Sequence, residues 1–204
     1  MSIESLIALM IASFIVKVTP GPGVFATTGI SLTRGVHAGL LFVCGTLLGD
    51  LVFVVAVLLG LTVVAREFHE VFFAIRVIGG CYLIYLGYLA LTSKAPAIER
   101  FTPKAVGHFK IFLNGFLVTL ANPKAILFYV GLLPTFIDLA ALNQFDMILL
   151  SVLMITDTGL ILAAYAIAAN QARQFFQSPR AGKNLNRTAG VVLAGSGIGV
   201  ITTS

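Results

Sequence analysis

Charge is scarce in this sequence: 10% of its 204 residues are Asp, Glu, Lys or Arg, 58% are hydrophobic, and the mean hydropathy is +1.02. A soluble domain of this length needs a polar surface that such an inventory cannot supply, so a membrane protein is implied. The length allows one compact bundle and leaves almost nothing for a second domain. Cysteine is scarcer still, with two residues. Cys44 and Cys81 each sit inside an apolar run, without a CxxC partner, and are expected to be small buried hydrophobes. The three histidines, His37, His69 and His108, all fall at loops. The clustered donors of a metal centre are therefore missing, and no metal or other cofactor is expected. The first residues carry Glu4 and no basic stretch, which argues against a cleaved signal peptide. A net charge of +5 raises the question of nucleic acid, but the excess Lys and Arg lie in short loops between apolar runs. That placement is what membrane orientation asks for, and no nucleic-acid partner is expected.

What the sequence does hold is long apolar runs. A bilayer core about 30 Å thick is crossed by about 20 helical residues. Runs of that kind extend from Ile3 to Leu32, Gly39 to Val64, Val71 to Leu91, Phe109 to Ile137, Met147 to Ala169 and, shorter, Thr188 to Ile201. The first and fourth are too long for one straight helix, and both are interrupted: Lys17-Val18-Thr19-Pro20-Gly21-Pro22-Gly23 in one, Leu120-Ala121-Asn122-Pro123-Lys124 in the other. Proline removes a backbone donor and crowds the preceding turn, and glycine loosens what remains. At membrane depth such breaks survive where protein or a water-filled cavity satisfies the freed groups.

One helix after each break comes an acid in the middle of a span, Asp50 and then Asp157, at similar separations from Pro20 and Pro123. This predicts an all-α membrane protein of six transmembrane helices in two three-helix repeats, with helices one and four broken by proline. The repeats are about residues 1–92 and 109–204, with a loop at about 93–108. An odd number of spans per half forces the halves to be inverted. With six spans, loops one, three and five carry nine Lys and Arg residues, from Arg34 to Arg187, and the opposite side carries only Arg66 and Arg76. The bias puts the odd-numbered loops in the cytoplasm and both termini on the periplasmic side.

Four charges remain inside the spans: Lys17, Lys124, Asp50 and Asp157. Each costs about 2.5–3.5 kcal/mol on the insertion scale. Two structural ion pairs locking the halves together would account for them, as would a lysine that runs its stem out to an interface. The alternative is a mid-membrane site bearing both signs, suited to a zwitterion with an α-carboxylate and an α-amine. After a break the next half-helix starts with unpaired N–H groups and a positive dipole end, which favours an anionic group. Gly21 and Gly23 would let a carboxylate approach the backbone, and Thr19 would offer a hydroxyl. Asp50 and Asp157 are also candidate proton carriers, since a buried carboxylate can change protonation as water reaches it from alternate sides. The glycines Gly35, Gly39, Gly45 and Gly49, and the pair Gly195 and Gly199, are expected to pack helices closely, and they permit a homodimer without demanding one. Tyr82, Tyr85 and Tyr88 are read as interfacial anchors ahead of pocket lining.

At these motifs the sequence resembles the LysE/RhtB family of amino-acid exporters. The likeness is carried by Thr19-Pro20-Gly21-Pro22, Arg34-Gly35, Gly39, Gly45 to Gly49-Asp50, Asn122-Pro123-Lys124, Phe128, Leu133-Pro134, Asp157, Asn186-Arg187 and Gly190, in order and nearly end to end. The resemblance implies a secondary transporter in a bacterial inner membrane that exports small zwitterionic amino acids, driven by proton antiport. Its partners would be the amino acid, protons and the lipid bilayer. The turn Pro20-Gly21-Pro22, Asp50, Asn122-Pro123-Lys124 and Asp157 match the family's signature elements. Read from the residues themselves, the substrate-site candidates are Lys17, Thr19, Pro20, Gly21, Pro22, Gly23, Asn122, Pro123 and Lys124, and the candidates for amine binding or proton coupling are Asp50 and Asp157. Gly23 departs from the bulkier polar residue common in relatives, and the last residues lack a basic group. A metal-ion exporter of the same superfamily is the alternative. A membrane redox relay would set one cysteine in each half, whereas Cys44 and Cys81 share the first half. No catalytic residues are expected.

Overall fold

The structure is a computed structural model that describes residues 1–60, 77, 81, 84, 85, 88, 91, 92, 107–172, 184, 187, 188, 190–192, 194, 195 and 198. Within these the chain is helical, with no strand. Helix α1 runs Ile3–Val18, α2 Pro22–Arg34 and α3 Val36–Leu58. After residues outside the described set, α4 runs His108–Leu120 and α5 Pro123–Ile126. A π-helical turn over Leu127–Leu132 joins α5 to α6, Leu133–Phe136, and α7 runs Gln144–Ala172. The third and sixth apolar runs lie mostly outside the described residues, as do Tyr82, His69, Asn186 and Gly199; the positions described within those runs are helical up to Leu91.

The two breaks have the same construction. Ser2 starts α1 by accepting a hydrogen bond from the Ser5 N–H at 3.1 Å, with Glu4 in its first turn and Lys17 in its last, each at the end of the helix dipole that favours it. Pro20 stops it: the residue before a proline is driven out of the helical region, and Thr19 is extended at φ −64°, ψ 125°. Pro22 then opens α2 at a position where a missing N–H costs nothing. In the second half Asn122 is extended and its Oδ1 accepts from the Lys124 N–H at 3.1 Å, capping a new helix that opens on Pro123. The bend is 53° between α1 and α2 and 55° between α4 and the segment Pro123–Phe136. Each long run is thus two helix segments meeting at the predicted residues.

α3 and α7 are uninterrupted and apolar over 23 and 29 residues, long enough at 1.5 Å per residue to cross a bilayer. α3 starts at Val36 and not at Gly39, because the break is Gly35: its φ of +85° suits glycine and ends α2 as it begins α3. The outer surfaces are apolar. Ile3, Ile7, Ile11, Phe14, Ile15 and Val18 form an exposed stripe along α1, and α3 and α7 show similar faces. Ser13, Thr27, Ser31, Thr46, Asp50, Thr119, Asp157 and Thr158 are buried. Apolar outside and polar inside is the arrangement a lipid solvent selects. Cys44 and Cys81, expected to be buried, are exposed and free; in lipid an apolar side chain is as well placed outside as inside.

Glycines set the closest helix contact. A Cβ on Gly45 would lie 1.9 Å from the Phe112 carbonyl oxygen, and one on Gly115 would lie 2.1 Å from the Phe42 carbonyl oxygen. α3 and α4, one from each half, therefore touch backbone to backbone, as the packing reading of Gly45 anticipated. Gly49 against Thr119 continues the seam. Gly195 meets nothing within 4 Å. Tyr85 and Tyr88 are exposed at 56% and 62%, as suits anchors, and neither lines the cavity described next.

Candidate functional site

The breaks and the two uninterrupted spans enclose a cavity of about 550 Å3, its open mouth included. Lys17, Thr19, Gly21 and Gly23 line it from the first break, and Asn122 and Lys124 from the second. Asp50 and Thr46 come from α3 and Thr158 from α7. The remaining wall is largely apolar, with Val24, Ala125, Phe128, Tyr129, Ile161 and Leu162 prominent. Of the eleven residues proposed from sequence for substrate binding or proton coupling, Pro20, Pro22, Pro123 and Asp157 are not part of its lining. The prolines shape the breaks; Asp157 stands behind Lys17.

The four charges do not form two equivalent pairs. Lys17 Nζ lies 3.3 Å from Asp157 Oδ2, with the two side chains 12% and 8% exposed. The same ammonium donates to the Met154 carbonyl at 3.0 Å and sits 5.4 Å and 5.8 Å from the ring centres of Phe128 and Tyr129. Ser13 Oγ donates to Asp157 Oδ2 at 2.6 Å. Lys17 and Asp157 thus satisfy one another and fasten α1 to α7. Asp50 is 4% exposed and accepts at Oδ2 from the Thr158 hydroxyl at 2.7 Å. Among the described residues it has no direct ion pair, though the field of Lys17 reaches it. Lys124 has no ionic partner among the described residues either; its Nζ donates to the Thr19 carbonyl across the two breaks.

The freed backbone of the first break is met from the second half. The Val18 carbonyl accepts from the Tyr165 hydroxyl at 2.8 Å, and the Thr19 carbonyl accepts from Lys124. Thr19 departs from expectation here: its hydroxyl donates to the Ile15 carbonyl at 2.7 Å, one turn back, so the carbonyl and not the side chain faces the second break. The start of α2 stays open, since Gly21 provides no side-chain cap. Gly21 also leaves room for Lys124, whose Cδ would be 3.3 Å from a Cβ placed there.

Several residues of the site were not singled out from sequence: Ser13, Thr46, Thr158, Tyr165 and Tyr129. The π-helical turn carries Phe128 and Tyr129 inward beside Lys17, where they stack edge to face with ring centres 5.1 Å apart. π-helical turns concentrate at functional sites. The turn has no clear sequence mark, but Thr158 follows an acid already identified. The Tyr129 hydroxyl, buried near Asp50 and Thr158, has no hydrogen bond in good geometry among the described residues. No group of three His, Cys, Asp or Glu side chains gathers among the described residues.

Bent helices closing on a charged mid-span cavity, with lipid-suited outer faces, define a multi-pass membrane protein of the translocator class. The LysE type translocator profile matches residues 14–204, and the chain belongs to that family. It is 34% identical over 136 residues to a leucine efflux protein of Salmonella choleraesuis, an alignment covering 65% of this chain and 63% of that protein. It is also 27% identical over 203 residues to an uncharacterized membrane protein of Synechocystis, covering 98% and 97% of the two chains, and 25% identical over 198 residues to one of Vibrio cholerae, covering 97% of each. No solved structure matches.

Proposed function

We propose that the protein exports neutral, leucine-like amino acids across a bacterial inner membrane in exchange for protons. In this reading six spans form two inverted halves, the odd-numbered loops are cytoplasmic, and the substrate bridges Asp50 and Lys124. One observation carries it: the cavity wall holds one carboxylate and one ammonium without a direct ionic partner among the described residues, while the other two charges neutralise each other. An α-amine answers Asp50, whose Oδ1 is left open by Thr158. An α-carboxylate answers Lys124 and the uncapped N–H groups at the start of α2. The apolar wall suits a branched aliphatic side chain, and the leucine efflux relative supports that choice.

Coupling follows from the same carboxylate. Asp50 can hold the substrate ammonium or a proton, but not both. A carrier whose site alternates between those two loads moves them in opposite directions. The similar bends of the two halves, 53° and 55°, support the repeat and offer paired joints for alternating access.

The test is counterflow in proteoliposomes. Accelerated uptake of labelled leucine into leucine-loaded vesicles is expected, lost in Asp50→Asn and stimulated by an outwardly imposed pH difference. Absence of exchange for a panel of neutral amino acids, with folded protein, would overturn the assignment.

A further inference from the structure

Thr33, Thr119 and Ser151 each donate to the carbonyl four residues back, the usual way a helix disposes of a hydroxyl in an apolar setting. Thr27, Ser31 and Thr46 do not. All three are buried, at 0%, 0% and 5% exposure, and none of their hydroxyls has a hydrogen-bond partner among the described residues. Buried polar groups left without protein partners are the places where internal water is held.

Their positions form a file. Gly23 lines the cavity, and Thr27 and Ser31 follow at four and eight residues on the same face of α2, about 6 Å and 12 Å further along. Thr46 lines the cavity one turn before Asp50 on α3. Ser31 faces α3 directly, because a Cβ on Gly39 would fall 1.9 Å from its Oγ. Gly39 is thus the gap that lets this hydroxyl stand between the helices. The file ends at Gly35, where Asn170 Oδ1 lies 3.7 Å from a Cβ built on the glycine.

We propose that Thr46, Thr27 and Ser31 hold a short chain of water that conducts protons between Asp50 and the α2–α3 turn, separate from the path taken by the amino acid. The proposal rests on the antiport reading above. Each hydroxyl offers one O–H and accepts at its oxygen, so a proton handed from Asp50 to the first water is matched by one leaving at the far end. No bond other than O–H is made or broken. The titratable groups facing Asp50 are Lys17 of α1, Tyr129 of the π-helical turn and Asp157 of α7, with Lys124 across the cavity. None of them lies along the file, which leaves the hydroxyls as its polar lining. By the charge bias of the loops this route opens to the cytoplasm, the side on which an exporter releases its proton.

Thr27→Val with Ser31→Ala removes two hydroxyls at nearly constant shape, and neither residue lines the cavity. The full-length protein in proteoliposomes is read in two ways: leucine counterflow at equal pH, which needs no net proton movement, and proton flux evoked by a leucine gradient, followed with a trapped pH dye. The expected result is counterflow within twofold of the parent and proton flux reduced tenfold or more, with Thr27→Ser restoring it. Unchanged proton flux in the double variant would overturn the water file, as would equal loss of both activities in protein that remains monodisperse. Loss through misfolding is recognised by aggregation, and Thr27→Val and Ser31→Ala made singly then carry the same two readouts. A parent protein that exchanges leucine but moves no protons would overturn this proposal and the antiport reading while leaving export standing. Absence of counterflow in the parent would instead sink the substrate assignment itself.

Discussion

The division of labour between the two acids is open to a double-mutant cycle. Lys17 and Asp157 are a nearly dry pair at 3.3 Å, with Ser13 and the Met154 carbonyl taking further bonds. Removing one member of such a pair strands the other, at a cost of about 3–5 kcal/mol. Lys17→Gln and Asp157→Asn made singly should each show that loss. For a chain of this length about 2–4 °C of melting temperature accompanies each kcal/mol, so each single variant should melt roughly 6–20 °C below the parent. The double variant replaces two charges by two amides that can bond to one another. It should recover to within about 1–2 kcal/mol of the parent, because the expensive species is the unpaired charge and not the missing pair. The assay is melting of purified protein in one detergent, by intrinsic tyrosine fluorescence or by loss of monodispersity, with all four proteins measured side by side. Asp50→Asn serves as contrast: with no direct ion pair to break, it should stay within about 3 °C of the parent and lose leucine exchange. Additive single effects in the double variant, or singles costing under about 1 kcal/mol, would refute the assignment of Asp157 to structure.

Other consequences are tested more directly. Lys124→Gln should raise the KM for leucine exchange by roughly 10- to 150-fold, the equivalent of a charge-assisted hydrogen bond of about 1.5–3 kcal/mol, whereas Thr19→Val should change it less than about threefold because the Thr19 hydroxyl is spent within its own helix; initial exchange rates over a range of leucine concentrations decide both. Gly45→Ala and Gly115→Ala each drive a methyl into a backbone carbonyl and should destabilise by about 1–3 kcal/mol or more, while Gly29→Ala, with nothing within 4 Å, should be neutral or stabilising in the same melting assay. Gly23 has only Asn122 Nδ2 near, at 4.0 Å, so Gly23→Val should fill cavity space and cut leucine exchange about tenfold while sparing alanine, as a few methylenes of lost room suggest.

Much of this architecture was legible because prolines and charges are conspicuous in an apolar chain. Thr19-Pro20-Gly21-Pro22 and Asn122-Pro123-Lys124 marked both bends to the residue, and Asp50 and Asp157 marked the spans that face them. What could not be read was the pairing. Two lysines and two aspartates at mid-membrane admit either partnership, and the choice of Asp157 for Lys17 depends on the rotation of α1 and α7, which periodicity does not fix when nearly every face is apolar. The hydroxyls were hidden for the same reason: Ser13 and Thr158 are chemically like Ser151 and Thr33, and only their neighbours distinguish them. The orientation of the Thr19 hydroxyl is not legible either, because a threonine near the end of a helix has two uses for its oxygen, and bonding one turn back is available without any partner. The exposure of Cys44 is hidden because an apolar run means an interior in water but not in lipid.

The charge inventory of the cavity has an electrical consequence. Lys17 and Lys124 balance Asp50 and Asp157, so the empty ionised site sums to zero, and a zwitterionic substrate leaves that sum unchanged. In the exporter proposed above, the loaded limb of the cycle therefore carries no net charge through the membrane field and is indifferent to voltage. Protonating Asp50 makes the returning limb carry one positive charge, on which the field does about 2.3 kcal/mol of work per 100 mV. A negative cell interior pulls that limb inward, so the resting potential would power the resetting of the carrier rather than the expulsion of its cargo.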